Sequence, residues 1–414
     1  MPVHPDALAR GGADYLTRVF HAAGSLPAGN RVVNIARIDD CPGGSTGRKL
    51  FLTVDYASPD AALDRRLFVK FSRDLDDPIR DRARFELDAE VRLARLSREA
   101  GFPVTVPTCY FADFHGASGT GVLITACVPF GEDGIEPHRP KCLDYSLPDP
   151  LEHYRALVRA LARLGAAHRS GRLGDAVERQ FLWVPERQFI AQPIRYDAEQ
   201  LQRRVRRYAE FSRRHPALLR DHLREPGFMD QMMADIPVFL RAEQALKHWL
   251  LEDRDGIALM HWNANIDNAW FRRGPYGALD CGLMDWGNVG QMNMALALWG
   301  ALCATELWIW DEHLDALLTV FVDELRAGGG PSLDVGRLRD QLVLGVVLLG
   351  LGWLMDAPAL IERACPELEQ VTDRRDPVFA ANETARTQLQ MLTSFLNVWQ
   401  RHRPADLIDA VLAR

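Results

Sequence analysis

From residue 31 to about residue 130, apolar and polar positions alternate along short runs; beyond 130 the apolar positions recur every three or four residues. The first texture predicts strands. In KLFLTVDY, Leu50, Leu52 and Val54 alternate against Phe51, Thr53 and Asp55, and RVVNIARID, RLFVKFS, PVTVPTCYFADF and GVLITACVPFG read likewise. One helix interrupts them over 82–101, with Phe85, Ala89, Leu93 and Leu96 at helical spacing and Gly101 and Pro103 closing it. Helices are expected over 151–169, 198–222 and 237–251, then an apolar, glycine-bearing helix over 342–355 and a C-terminal pair. Gly and Pro residues near Phe130 mark the change of texture, which divides the chain into 1–130 and 131–414.

Polar residues placed against this pattern carry the candidate chemistry. Gly43, Gly44, Ser45, Thr46 and Gly47 spell GxSxG. A nucleophile elbow requires a helix after that motif, and here a strand follows, so the stretch reads as a glycine-rich hairpin loop able to bring backbone N–H groups to phosphates, or as an ordinary tight turn. Lys70 lies mid-strand in an otherwise apolar segment, and the helix that follows carries Glu90, with Glu86 a rival one turn earlier. A strand lysine held by a helix glutamate is a pair that positions nucleotide phosphates. Farther on, His261, Asn263 and Asn268 stand at offsets 0, +2 and +7, and seventeen positions after Asn268 comes Asp285 in LMDWG.

In this order the motifs resemble the aminoglycoside phosphotransferase and choline kinase-like superfamily, nearest its ecdysteroid-kinase-like (CHK) branch. The resemblance implies an α+β, two-lobed protein-kinase-like fold: a small antiparallel N-lobe with one helix and a large, mainly helical C-lobe. It implies ATP and Mg²⁺, and transfer of the γ-phosphoryl group to the hydroxyl of a small molecule. Lys70 and Glu90 match the phosphate-positioning pair, Asn268 and Asp285 the metal ligands, and His261 the residue that braces the loop. Asn263 departs from HxDxxxxN, because it stands where the family has the Asp that takes a proton, and an amide cannot take one. Ala295 stands where GDPxxDLA places a further bracing Asp. Two classes of function follow: a weak or atypical phosphotransferase, with Asn263 orienting the acceptor or Asp267 substituting as base, or a pseudokinase that binds nucleotide or a small ligand without turnover.

Composition narrows the partners. The 414 residues carry a net charge of -7, with 47% hydrophobic and 25% charged residues, which fits a globular protein and disfavours a nucleic-acid partner. Seven cysteines form no CxxC pair, the N-terminus lacks a signal-like apolar core and the longest apolar run is too short to span a bilayer, so reduced thiols, a cytoplasmic location and no membrane partner are expected. The absence of HExxH disfavours a metal hydrolase. His168 ends a helix, where it could touch the active site, although a histidine there more commonly caps the dipole. Nine arginines between 195 and 224 read as a solvated face or a rim for an anionic substrate, and Trp299, Trp308 and Trp310 as core or as a surface for a flat apolar ligand.

Overall fold

Strand-like alternation over 31–130 becomes a five-stranded antiparallel sheet in the order β1-β2-β3-β5-β4, made of β1 (Val32–Asp40), β2 (Lys49–Tyr56), β3 (Arg66–Phe71), β4 (Cys109–His115) and β5 (Thr120–Ala126). The computed structural model describes residues 4–41, 47–274 and 277–413. One face of the sheet, with Leu50, Leu52, Val54, Leu67 and Val69, is buried against a helix that the sequence reading did not assign, α1 (Pro5–Ala23). Its apolar stripe, Leu8, Leu16 and Phe20, is helical, but Gly12 at φ 57° breaks the helix into two segments and obscures the period. The opposite face carries Phe51 and Phe68 as a cross-strand pair with ring centroids 5.9 Å apart, and beside them Lys49 opposite Lys70.

Between β3 and β4 the single helix expected over 82–101 is split into α2 (Arg80–Ala83) and α3 (Glu86–Leu96). Phe85, counted with the apolar stripe, lies between them and faces solvent, while Leu87 and Val91 pack on Cys109, Ala112 and Leu123.

After β5 the chain is mainly helical: α4 (Pro150–Arg169), α5 (Ala176–Gln180), α6 (Ala198–Arg214), α7 (Pro226–Glu252), α8 (Met294–Leu302), α9 (Leu307–Ala327), α10 (Val335–Trp353), α11 (Ala357–Ala364), α12 (Pro377–Ala381), α13 (Glu383–His402) and α14 (Ile408–Leu412). Helix α7 runs through Pro237 rather than starting there, because Phe228, Met232, Ile236, Phe239 and Leu246 keep one buried stripe on both sides of the proline and tertiary packing overrides its local cost. Helix α10 is buried along nearly all of its length, as its apolar run requires. Trp299 and Trp310 are core, 5.9 Å apart. Arginines of the 195–224 stretch pair with carboxylates, Arg203 with Glu199, Arg204 and Arg207 with Asp356, and Arg214 with Glu362, which is the solvated-face reading. All seven cysteines are free thiols. Among the described residues no single helix is long and apolar enough to cross a membrane.

Four short strands hold the loops at the top of this helical part: β6 (Ile257–Met260) pairs with β9 (Gly290–Asn293), and β7 (Ala269–Arg273) with β8 (Leu279–Leu283). His168 ties them to α4. It is buried rather than capping a helix end in water: its Nδ1 accepts from the backbone N–H of Leu259 at 2.9 Å, and its Nε2 donates to Glu178 at 3.0 Å. A dipole cap would contribute about 0.3–1 kcal/mol. Losing the only side-chain acceptor of a buried strand N–H costs about 1–3 kcal/mol. His168→Ala should therefore lower the unfolding free energy by the larger amount in denaturant titration, with a loss confined to a few tenths supporting the cap instead.

Candidate active site

Lys70 stands in β3 with its side chain on the polar-facing side of the sheet, yet it is only 2% exposed. Its ammonium lies 2.7 Å from Glu90 Oε2, in α3, and 2.7 Å from Asp285 Oδ1, beyond β8. The rivalry with Glu86 is thereby resolved, since Glu86 pairs with Arg73 at 3.0 Å. Burial alone would pull the lysine pKa down, but Glu90 and Asp285 outweigh it and hold the group protonated, above the ordinary lysine value. Asp285 is held below the ordinary carboxylate range by Lys70 despite its own burial cost, whereas burial wins at Glu90 and pushes it up.

The backbone delivers Asp285 in a left-handed conformation, φ 55°, between β8 and the Trp286–Gly287 turn. Such a conformation costs a non-glycine residue about 1–2 kcal/mol and is found where function holds it. The carboxylate remains 47% exposed, reaching into the cleft that Lys70 closes from above.

The loop between β6 and β7 is organised by His261, which is fully buried. Its Nδ1 accepts from the backbone N–H of Asn263 at 3.1 Å and its Nε2 lies 3.0 Å from the carbonyl of Met284, so the ring is neutral with the proton on Nε2. One imidazole therefore ties the loop to the residue before Asp285. Asn268 repeats the tie: its Nδ2 donates to the Asn263 carbonyl at 2.8 Å, and its own carbonyl accepts from Met284 N–H at 2.9 Å.

Asn263 itself is partly exposed, and its Oδ1 accepts a hydrogen bond from Nδ2 of the fully buried Asn265. Asn265 Oδ1 in turn accepts from Cys303 Sγ at 3.5 Å. Helix α8 approaches this loop at Gly300, where a Cβ would fall 1.8 Å from the Trp262 carbonyl. Ala295 is simply buried in α8, its N–H accepted by Asn293 Oδ1 at 2.8 Å. Asn265, Gly300 and Cys303 were missed in the sequence because nothing in their spacing separates a loop brace from ordinary core; the small Gly300 inside an apolar helix was the one available signal.

A cavity of about 600 Å³ runs from this site between sheet and helices. Phe51, Phe68, Leu123, Val128 and Phe130 make its apolar wall, and Asp267, Asn268 and Asp285 add polar groups. Lys49, unremarked in the sequence, also lines it, and its charge helps lower the pKa of Asp285. Gly43, Gly44 and Ser45 lie outside the described residues. The last glycine of their stretch, Gly47, is left-handed at φ 57°, and a Cβ there would meet the Phe71 carbonyl at 1.9 Å, so only glycine fits.

Among the described residues no three His, Cys, Asp or Glu side chains converge as a self-sufficient metal site. Asn268 and Asp285 suit a magnesium ion that takes the rest of its ligands from phosphate and water, since Asp285 is ionised and the Asn268 amide nitrogen is already engaged, turning its oxygen away from that bond. The five-stranded sheet with its lysine–glutamate pair, set over helices that carry the two loops, defines a protein-kinase-like fold.

No protein-family model matches the chain, and no curated protein matches it. Solved structures similar to it include choline kinase from Cryptosporidium parvum, 11% identical with a TM-score of 0.42 over 91% of each chain. An ethanolamine kinase from Plasmodium vivax is 10% identical with a TM-score of 0.42, over 86% of this chain and 81% of that one. The GDP complex of wild-type aminoglycoside 2'-phosphotransferase-IIIa is 13% identical with a TM-score of 0.40, over 90% of this chain and 98% of that one. At such identities and scores the likeness is to the course of the chain alone.

Burial holds the His261 pKa down at about 4, against about 6.5 when unfolded. Between those values the unfolded chain takes a proton that the folded chain refuses, so stability present above pH 6.5 is lost as the pH falls toward 4. The whole difference is on the order of 3 kcal/mol. Comparing unfolding free energies at pH 7 and pH 4.5, His261→Gln should show a smaller acid loss than the native chain, though a lower stability at pH 7; equal acid losses would refute a neutral, buried imidazole.

Proposed function

We propose that the chain is an ATP- and magnesium-dependent phosphotransferase that acts slowly on the hydroxyl of a small molecule. The observation that carries this reading is the Lys70 ammonium, held 2.7 Å from carboxylates of both lobes, one inside the sheet's helix and one open to the cleft. Glu90 fixes the ammonium, which is left to bind nucleotide phosphates; Asn268 and Asp285 face the same cavity and would hold the metal. Bound magnesium supplies charge neutralisation on the phosphates and aligns the transferred group. The apolar wall that Phe51 and Phe68 give the cavity suits a nucleotide base.

At position 263 the amide sets the rate. Its oxygen already accepts one bond from Asn265, and whether it donates to or accepts from the acceptor hydroxyl, an amide can orient that oxygen but cannot draw off its proton. As the hydroxyl oxygen bonds to phosphorus and the bond to the leaving diphosphate breaks, the proton must pass to a phosphoryl oxygen or to water. Phosphoryl transfer tolerates this because bonding to the nucleophile is slight in its transition state. A second reading, binding of nucleotide or ligand without turnover, is favoured by the same locked amide.

Binding separates from chemistry experimentally. MgATP should raise the melting temperature of the native protein through mass action, and Asp285→Ala should abolish the magnesium-dependent part of that rise. A shift unchanged in Asp285→Ala would place any nucleotide elsewhere.

Positioned proton transfer contributes about 10²- to 10⁴-fold to a rate. Asn263→Asp restores a carboxylate that can still accept from Asn265, so the loop need not rearrange. Phosphotransfer, or at least ATP hydrolysis at saturating MgATP, should rise in that variant with nucleotide affinity unchanged. Brisk native turnover that falls in the variant would show that the amide is the working group, whereas no activity in either protein would favour binding without turnover.

A further inference from the structure

In the wall of the same cavity, beside Asn268, an ammonium and one carboxylate oxygen stand without hydrogen-bond partners among the described residues. Lys141 lines the cavity from the segment between β5 and α4, and among the described residues its ammonium makes no hydrogen bond or ion pair. Asp267 lines it from the 261–268 loop, and its Oδ1 is buried with no hydrogen-bond partner. Each feels the other. Burial pulls the Lys141 pKa down, but Asp267 foremost overcomes that and raises it, while burial raises Asp267 against the pull of Lys141. Still they do not touch.

The segment that presents Lys141 is fixed in place. Buried Arg386, in α13, donates through Nε to the Lys141 carbonyl at 2.9 Å and through Nη1 to the Ala380 carbonyl at 2.9 Å. Next to it, Cys142 takes a left-handed φ of 61° and its Sγ contacts Thr387 Oγ1 at 3.9 Å. The Asp267 backbone is held as well, its carbonyl 3.0 Å from His138 Nε2. Thus a rigid frame holds an unpaired cation and an unpaired carboxylate oxygen at a distance from each other. An unsatisfied buried polar group is costly, and one that persists at a cavity wall calls for an explanation. A ligand with an anionic group for the ammonium and a donor for the carboxylate would satisfy both.

We propose that the acceptor is a small hydroxy acid, its carboxylate bound by Lys141 and one donor, a hydroxyl or an amino group, by Asp267. This rests on the phosphotransfer reading only for the fate of the molecule, since its binding uses residues that the nucleotide does not need. Specificity then runs against simple cationic amino alcohols, which would meet Lys141 with like charge.

The test is calorimetric titration of the full chain, free of nucleotide, with D-glycerate, 3-hydroxybutyrate and L-homoserine, and with choline and ethanolamine. At least one of the three acids should bind more tightly than either amine. Lys141→Gln should weaken that acid about ten- to hundredfold, as expected for a charge-assisted bond, and Lys141→Arg should restore most of the loss, which guards against a folding defect. Preference for the amines, an acid affinity unchanged in Lys141→Gln, or no response to any of the three acids would each overturn the proposal. MgATP is titrated separately. Acid binding without nucleotide binding would sink the phosphotransfer reading and leave this one standing; nucleotide binding without acid binding would do the reverse.

Discussion

A single buried ammonium joins the two halves of this protein. Lys70 could not be removed from water alone: an isolated buried cation costs many kcal/mol and would shed its proton instead. Glu90 and Asp285 keep it charged, and in doing so fix α3 to the sheet and the loop after β8 to the roof. The trio carries one more negative charge than positive, and Lys49 stands close enough to moderate both carboxylates. A site so arranged is poised for a cation at Asp285, which would release Lys70 toward an anionic ligand while Glu90 holds it in place. The half-exposed Asp285 and the buried Glu90 are thus unequal partners, one free to exchange and one fixed.

Beneath that trio the 261–268 loop is rigid for reasons unrelated to the residue at 263. His261 binds the loop to Met284, Asn268 binds it again from the other side, and α8 approaches so closely at Gly300 that no side chain fits. Asn265 and Cys303 complete the support from inside. The side chain at 263 enters this support only through its bond from Asn265. An amide or a carboxylate at 263 would suit the fold alike, since Asn265 can donate to an oxygen of either side chain.

The parts of this architecture that were legible in the sequence are those with a period or a fixed order. Alternation marks the sheet strands, and the order lysine, helix, glutamate, loop, aspartate names three residues that the fold joins, both carboxylates 2.7 Å from one ammonium. Glu86 and Glu90, one turn apart on the same helix face, could not be separated by spacing; Arg73 decides between them by occupying Glu86. Pro237 misled because proline is favoured at a helix start, while the buried stripe that carries α7 through it depends on partners distant in the chain. His168 misled for a similar reason, since its acceptor role belongs to a strand ninety-one residues away. Helix α1 was hidden by Gly12, and Lys141 and Cys303 sit in contexts whose meaning exists only in three dimensions.

Charge along the cavity unites these observations. The protein as a whole is acidic, at -7, yet the cavity wall sets four cations, Lys49, Arg66, Lys141 and Arg386, against four carboxylates. A pocket more positive than its surroundings draws anions inward, and it does so most strongly where the wall excludes water. Lys49 stands opposite Lys70, which Glu90 and Asp285 hold, while Lys141 feels Asp267 and Arg386 pairs with Glu383. A divalent ion beside Asp285 would offset part of the negative charge there and shift the balance on the Lys70 side toward anions.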